Sequence, residues 1–293
     1  ATLTMNTTGG AGASSQLPAN LQQGLVAYYP FNGNANDESG NGNNCTSNSP
    51  LYVADRDGNV GSAYSFIPAI NNYLSVPMNA SLNSMSTNGS FTISEWFNIP
   101  NYSSQVFSFA SFYNSQNNGG WEVINHSGIG GFYYYLNQSS IGPCGLGIQL
   151  GSWHHLVYTC DITSQTYQIY LDGQIVCQGV FNLNIPFISQ GSLYLGASPV
   201  GPDESNYGIM DDVFIYNRTL NTSEIQQLYT VQSYAWSNNA TTPTISVSPT
   251  TNTTYSCTVT QGNQTCAASI DITVNPAITN SVSATIVEGQ SYT

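Results

Sequence analysis

Short runs of alternating aromatic or β-branched residues recur along most of this chain, and they constrain its fold more than any other feature. Each run is bounded by Gly, Asn, Asp or Pro, the pattern of half-buried β-strands separated by turns. The runs are Phe91 to Ile99, His154 to Cys160, Thr166 to Gly173, Gln174 to Val180, Ser192 to Ala197 and Asp211 to Asn217. This pattern predicts an all-β sandwich or barrel, and Asp172-Gly173 predicts a type I′ hairpin turn.

One segment has a helical pattern instead. In "NTSEIQQLY", Asn221 or Thr222 supplies an N-cap, and Ile225 and Leu228 fall on one face. We therefore predict a short helix laid over the sandwich.

The charge balance limits the partners. The chain has fifteen acidic residues, no lysine and only two arginines, Arg56 and Arg218. Such a chain is repelled by nucleic acid and by anionic membranes. It also has no run of about 18 apolar residues, so we expect no membrane insertion. Residues 1 to 23 lack the basic and apolar regions of a secretion signal, from which we expect a processed chain or a piece of a longer one.

Cysteine usage indicates an extracellular protein. The six cysteines are even in number and form no CxxC motif. A two-residue Gln261-Gly262 turn would place Cys257 opposite Cys266 at a non-hydrogen-bonded pair, which suits a disulfide; the alternative is two buried free thiols. Cys45, Cys144, Cys160 and Cys177 permit three pairings that the sequence does not rank. Twelve Asn-x-Ser/Thr sequons make glycosylation possible.

Five ordered motifs carry a family resemblance. They are "GLVAYYPFNGNANDESGNGNN", "DRDGNVGSAYSFIPAINNYLSVP", "FTISEWFNIP", "GSWHHLVYTCDITSQTYQIYLDGQIVCQG" and "SLYLGASPVGPDESNYGIMDDVFIYNRTLNTSEIQQLY". In this order they resemble the concanavalin A-like, laminin-G-type jelly-roll domains of bacterial surface proteins. The resemblance covers residues 24 to 231 and implies two antiparallel sheets packed face to face.

The remainder of the chain resembles a different kind of module. Residues 233–276 are rich in Thr and Ser and are similar to the second half of the Ig-like repeats of large bacterial cell-surface adhesins, with Trp236 in a small core. We therefore divide the chain into an N-terminal strand and linker (1–23), a jelly roll (24–232), a partial Ig-like module (233–276) and the start of a further module or donor strand (277–293).

The oxygen-rich loop after the first strand is a candidate cation site. The resemblance implies a structural calcium ion held by this loop and by the Asp-Asp pair before the last strand. The candidate ligands are Asp37, Asn41, Asn43 and Asp212, with Asp211 as a substitute for Asp212. The alternative is that Asn and Gly serve turns with positive φ. "DRDGN", residues 55–59, lacks the distal Glu of a calcium loop and is interpreted as a turn.

The acidic residues do not predict hydrolysis. Glucanases share this general fold and need two suitably spaced carboxylates, but Glu95 and Glu122 each stand alone in their strands. The acidic neighbours Asp211 and Asp212 would point to opposite faces of a regular strand. No partner acid or nucleophile motif accompanies His154 and His155. We predict that the chain is not an enzyme.

Two functions from different classes remain. One is a structural adhesion module, a unit of a large surface adhesin or filament joined to copies of itself or adjoining repeats by β-strand complementation, with Leu3 and Met5 inserted by the donor strand. The alternative is a lectin-type domain that binds an extracellular glycan, with Trp121 and Tyr134 as stacking candidates. Truncated modules at both ends favour the adhesion module.

Overall fold

The protein is described from a computed structural model. The structure describes residues 2–4, 17–67, 70, 72–87, 89–100, 107–114, 119–126, 131–136, 139–145, 147–181, 192–197, 207–230, 232–240, 244–261, 264–275 and 288. For some of these, including Leu3, Trp121 and Tyr134, it describes only the backbone. Met5 and all of segment 277–293 except Glu288 lie outside the described residues.

The chain forms mostly short strands. In order, the elements are β1 (Thr2–Thr4), α1 (Ala19–Gln22), β2 (Leu25–Tyr29), β3 (Thr46–Ser47), β4 (Tyr52–Val53), β5 (Ala63–Phe66), β6 (Leu74–Val76), α2 (Ala80–Thr87), β7 (Ser90–Asn98), β8 (Phe107–Asn114), β9 (Gly119–His126), β10 (Gly131–Leu136), β11 (Ser139–Gly145), β12 (Trp153–Asp161), β13 (Thr166–Leu171), β14 (Gln174–Val180), β15 (Leu193–Leu195), β16 (Gly208–Tyr216), α3 (Thr222–Tyr229), β17 (Gln232–Trp236), β18 (Thr244–Ser246), β19 (Thr253–Gln261) and β20 (Gln264–Ile272). Among the described residues, no helix is long and apolar enough to cross a membrane.

The chain divides into two compact units, residues 6–232 and residues 1–5 with 233–293. The larger unit contains two antiparallel sheets. One has seven strands in the order β11-β10-β9-β8-β15-β6-β3; the other has eight, in the order β14-β13-β12-β7-β16-β5-β4, with β2 also paired to β16. This arrangement confirms the predicted all-β sandwich, and each of the six predicted strands is present.

The core of the larger unit lies between the two sheets. Alternate residues of β7 enter it, among them Phe91, Ile93 and Phe97, and they are joined by Phe109 and Phe112 of the opposite sheet. Burial of such aromatic side chains is the main stabilising contribution in a fold with so few charges.

Helix α3 covers part of the other face of the eight-stranded sheet. Its Ile225 packs in a second cluster with Tyr28, Tyr170 and Tyr216. Asn221 is the N-cap and forms a reciprocal capping box with Glu224. The predicted helix and its cap are therefore confirmed.

A disulfide joins the sheets at one end of the sandwich. Cys144 and Cys177 are bridged, with their Cα atoms 5.8 Å apart. Cys144 lies in β11 and Cys177 in β14, which are edge strands of different sheets. Cys45 and Cys160 carry unbridged thiols. The bridge is one of those that the sequence left open, and its companion pair, Cys45 and Cys160, is not joined.

The predicted Cys257–Cys266 disulfide is wrong, because the strand register does not place the two cysteines opposite each other. Strands β19 and β20 close at Gln261 and Gln264, so that Cys257 lies opposite Ala268 and Cys266 opposite Val259. Cys257 is buried, Cys266 is exposed, and both are free thiols. A diagonal pair across two strands is farther apart than a disulfide allows.

The smaller unit is built from both ends of the chain. Strands β17, β19 and β20 form one sheet, and β1 pairs with β18 in another. Leu3 lies opposite Ile245 in this antiparallel pair. Trp236 is buried in the unit's core with Ile245, Val247, Cys257 and Val259. The N-terminal strand is thus part of the smaller unit.

Candidate functional site

The oxygen-rich loop after β2 is organised around one carboxylate. Asp37 Oδ1 accepts hydrogen bonds from the backbone N–H groups of Tyr28 (3.0 Å) and Ser39 (2.8 Å). Its Oδ2 accepts from Ser39 Oγ (2.9 Å) and from the Asn43 N–H (2.8 Å). The loop therefore uses its polar side chains to satisfy its own backbone and the end of β2.

The two asparagines of the loop also have internal roles. Asn41 Nδ2 donates to the carbonyl oxygens of Leu25 (2.9 Å) and Val26 (3.1 Å). Asn43 is buried; its Nδ2 donates to the Val26 carbonyl (2.7 Å), and its Oδ1 accepts from Asn79 Nδ2 (2.6 Å). These hydrogen bonds attach the loop to β2 and to Asn79.

Arg56 binds the adjacent aspartates of β16. Its Nη1 lies 2.8 Å from Asp211 Oδ2 and 2.6 Å from Asp212 Oδ2. Its guanidinium also lies over the Trp96 ring, 4.7 Å from the ring centre. Tyr28 Oη donates to Asp212 Oδ1 at 2.9 Å. Residues 55–59 were interpreted as a turn from the sequence. This segment contains Arg56, the cation of a buried ion cluster.

A backbone irregularity brings both aspartates to the same side. The sequence predicted opposite directions for adjacent acids in a regular strand, but the strand is not regular at Asp211 and Asp212. The register of β16 against β7 shifts between Asp211 and Phe214, and Asp212 has a φ of 46°. A bulge with a residue in the left-handed region turns one carboxylate beside the other. Burial, together with the adjacent Asp212, raises the pKa of Asp211 well above its usual range.

Two of the four candidate calcium ligands, Asp37 and Asp212, already have partners within the protein. Both oxygens of Asp37 already accept from two donors each, and the carboxylate of Asp212 faces Arg56 and Tyr28. A divalent cation needs several oxygens with lone pairs directed at one point. Among the described residues, no group of three or more His, Cys, Asp and Glu side chains is positioned to hold a metal ion. Calcium binding stays a hypothesis, which melting curves with and without a chelator can test.

A continuous row of polar residues crosses the outer face of the seven-stranded sheet. Cross-strand partners share a face, and the partners form an unbroken series from β3 to β9. The series is Thr46, Ser75, Tyr194, Ser111 and Glu122. The neighbours of Ser75 and Tyr194 along their strands are buried in the core, so the row lies on the face directed away from it.

The centre of the row contains a buried serine hydroxyl that is not satisfied. Ser111 is buried, and within the described residues its Oγ has no hydrogen-bond partner. The cross-strand neighbour Glu122 is 7% exposed and accepts from Ser108 Oγ at 3.1 Å. Beside them, the rings of Tyr194 and Tyr73 lie 5.9 Å apart, inclined at 55°. An unsatisfied buried hydroxyl is a position where a bound water completes the hydrogen bonding.

The predicted stacking residues fall at other positions of the same sheet. Trp121 lies opposite the buried Phe112, and Tyr134 opposite the buried Val123. Both partners belong to the core between the sheets. The side chains of Trp121 and Tyr134 lie outside the described residues, so their role in binding stays a prediction. Tyr194 and Ser111 were missed because sequence alone does not give the register that aligns them.

The two isolated glutamates do not form a pair. Glu95 is completely buried in β7 at a position whose neighbours Ile93 and Phe97 face the core. Glu122 lies on the outer face of the other sheet. Carboxylates of a glycosidase must flank one bond in a common site.

A buried serine–histidine contact also lacks the geometry of a nucleophile. Ser94 Oγ lies 2.8 Å from His155 Nε2, and both residues are at most 1% exposed. Among the described residues, His155 Nδ1 has no hydrogen-bond partner that would orient the ring. Burial lowers the pKa of His155 to about 3, and Arg56 adds to this effect. Asp172 instead contacts His154, with Oδ2 2.8 Å from Nδ1.

The chain resembles solved binding domains in fold. The binding domain of Paraclostridial Mosquitocidal Protein 1 is 20% identical, with a TM-score of 0.59 over 82% of this chain and 64% of that one. A structure titled for the dependence of botulinum neurotoxin type C cell entry on two ganglioside molecules is 16% identical, with a TM-score of 0.56 over 75% of this chain. This chain spans 58% of that neurotoxin chain.

A third similar structure is a domain of an enzyme. Domain 4 of AbnA, an extracellular arabinanase from Geobacillus stearothermophilus solved with arabinotriose, is 18% identical, with a TM-score of 0.54 over 70% of this chain and 98% of that one. At these identities the likeness shows the fold alone.

No curated protein matches the sequence significantly. A family model for the concanavalin A-like lectin/glucanases superfamily matches residues 69–226, more than half of the chain. The chain therefore belongs to the concanavalin A-like lectin/glucanase superfamily.

Proposed function

We propose that the larger unit is a non-enzymatic, extracellular carbohydrate-binding domain of the lectin type. The observation that carries the proposal is the polar row on the outer face of the seven-stranded sheet, with the half-buried rings of Tyr194 and the neighbouring Tyr73 on that face. Similar folds titled for ganglioside interaction and for an arabinotriose complex support this reading over the structural adhesion module. The Cys144–Cys177 bridge supports an oxidising compartment.

The row has the chemistry that a sugar requires. The Ser75 hydroxyl and the Glu122 carboxyl, which is 7% exposed, would exchange hydrogen bonds with sugar hydroxyls. The half-buried rings of Tyr73 and Tyr194 offer aromatic surface and phenol groups to a sugar ring. The row runs from the exposed Thr46 toward the buried Glu122, so a glycan chain would enter from the β3 edge.

The charge distribution selects neutral glycans. The chain has no lysine, and both arginines are held in ion pairs, Arg56 with Asp211 and Asp212, and Arg218 with Glu224. An acidic sugar would have no arginine or lysine available to pair with its carboxylate or sulfate. The row itself carries the Glu122 carboxyl. We therefore expect neutral oligosaccharides rather than acidic ones to be bound.

A glycan array probed with the complete chain tests this proposal. We expect competable binding to neutral glycans and a loss of at least tenfold in affinity in Tyr194→Ala. Gln174→Ala, an exposed residue of the other sheet, is the control and should bind as the wild type does. Binding only to acidic glycans, or neutral binding that is indifferent to Tyr194→Ala, would refute the assignment of this face.

Adhesion by strand complementation is the second candidate. Pairing of β1 with β18 favours it, because an N-terminal strand completes a sheet formed near the other end of the chain. We propose that the same strand, including Leu3 and Met5, can be supplied by a neighbouring copy or an adjoining repeat unit. A variant lacking residues 1–16 should lose the unfolding transition of the smaller unit and regain it with added ATLTMNT peptide. An unchanged transition without the strand would contradict the proposal.

A further inference from the structure

The outer face of the eight-stranded sheet contains a polar cleft away from the site proposed above. Its volume is about 580 Å³, within the range of small-molecule sites. The floor consists of cross-strand partners on β12, β13 and β14, which share one face of the sheet. These residues are Thr159, Gln168 and Gln178 in one row, and Asp161, Thr166 and Val180 in the next.

One wall of the cleft is the segment that leads into α3. Thr219 and Leu220 line it. Thr92, which extends the first row onto β7, fixes this segment with two hydrogen bonds: its Oγ1 donates to the Arg218 carbonyl (2.8 Å) and accepts from the Leu220 N–H (3.0 Å). The wall is therefore attached to the floor by a buried side chain. A cleft built in this way is pre-formed before any ligand arrives.

The amide groups of the floor are ordered by neighbouring side chains. Tyr170 Oη donates to Gln168 Oε1 at 3.0 Å, and Gln168 Nε2 donates to Gln178 Oε1 at 3.3 Å. Gln178 is exposed, and its amide nitrogen carries two N–H donors at the cleft. This chain of hydrogen bonds fixes which end of each amide acts as donor.

The remaining groups define the charge and polarity of a ligand. Although partial burial opposes it, hydrogen bonds from Ser164, Thr163 and Ser90 hold the pKa of Asp161 below its usual value. The cleft is thus acidic at neutral pH, and no Lys, Arg or His is among the described residues that line it. Val180 is 78% exposed and offers apolar surface. Hydroxyls, amides, one carboxylate and an apolar patch, without a cation, suit an uncharged polyhydroxylated ligand and exclude an anionic one.

We propose that this cleft is a second saccharide-binding site, specific for a neutral sugar, on the sheet opposite the first site. The ligand class rests on the proposed function, but the residues belong to a different face. Two sites on opposite sheets make one chain bivalent for a polysaccharide. Bivalency raises avidity where both sites engage one glycan and cross-links separate glycan chains where they do not.

Affinity electrophoresis of the complete chain in gels containing arabinan, xylan, starch or β-1,3-glucan tests the proposal. The cleft variants are Gln168→Ala/Gln178→Ala, which removes both amides, and Thr219→Trp, which fills the space beside the exposed wall. Gln174→Ala, on the same strand as Gln178 but outside the cleft, is the matched control, and thermal melts verify folding. We expect both cleft variants to weaken retardation at least fivefold on a polysaccharide that the wild type binds. Combination with Tyr194→Ala should abolish it.

The outcomes separate the two sites. Retardation abolished by Tyr194→Ala alone and unchanged in both cleft variants would overturn the second site and leave the proposed function intact. Retardation lost in the cleft variants and unchanged in Tyr194→Ala supports the cleft and removes the first site. Retardation by none of the four polysaccharides, with an empty glycan array, overturns both.

Discussion

Replacement of Glu95 by Gln tests the consequence of burying a carboxyl group in the core. Glu95 is 0% exposed, and within the described residues neither of its oxygens has a hydrogen-bond partner. Burial raises its pKa well above the usual range. The neutral acid is therefore the form that the fold accommodates, and ionisation opposes folding.

The sign and size of the effect follow from linkage. The pKa is raised on folding, so the contribution of Glu95 to stability is complete below its unfolded pKa of about 4.3 and declines as the pH rises toward the folded pKa. Within that interval, one proton changes the free energy of unfolding by about 1.4 kcal/mol per pH unit. For a unit the size of residues 6–232, this corresponds to about 3 to 6 °C in melting temperature.

Melting curves of the wild type and of Glu95→Gln at pH 5.5, 6.0 and 6.5 measure this effect. Gln keeps the shape but does not ionise, so the melting temperature of the variant should rise relative to the wild type by about 3 to 6 °C per pH unit. Glu38→Gln is the control: partial burial raises the pKa of Glu38, but its half-buried side chain retains contact with water and should give a shallower trend. A difference between wild type and Glu95→Gln that stays constant with pH would refute the reasoning.

Three further predictions concern the other stabilising contacts. Arg56→Gln leaves the buried carboxyl groups of Asp211 and Asp212 without their cation and should cost about 3 to 5 kcal/mol in urea denaturation, more than Arg218→Gln at its more exposed ion pair. A chelator should leave the melting temperature unchanged, because the Asp37 oxygens are already satisfied; a fall of several degrees, reversed by calcium, would instead support the calcium hypothesis. Replacing Cys144 and Cys177 by Ser should cost about 3 to 4 kcal/mol by the loop-entropy estimate, and alkylation of the denatured, unreduced chain should label the other four cysteines; six labels would disprove the bridge.

Local sequence patterns predicted the strands and helix α3 well, but they did not predict contacts between residues far apart in the chain. The strands and the capped helix α3 are set by alternation and capping within a few residues of sequence. The cluster of Arg56 with Asp211 depends on a bulge and on residues far apart in sequence. The only sequence signal for this cluster was the composition, since two arginines and no lysine accompany fifteen acidic residues.

The error at Cys257 shows how sensitive register is to turn position. The sequence placed the two-residue turn at Gln261-Gly262, but the strands close one residue later, between Gln261 and Gln264. A turn displaced by one residue moves every cross-strand partner by two positions. Both placements include Gly262, so its presence did not discriminate between them.

The pairing of β1 with β18 has a kinetic consequence for synthesis. Leu3 leaves the ribosome almost a whole chain before its partner Ile245. At typical translation rates this delay is on the order of ten seconds or more, long enough for an isolated domain to fold. During that interval the N-terminal strand has no sheet to join, and the larger unit can finish folding before the smaller one can begin. During this time, any available sheet edge of matching pattern competes for the N-terminal strand. The order of synthesis, as well as the final stability, therefore decides which copy of the smaller unit the strand completes.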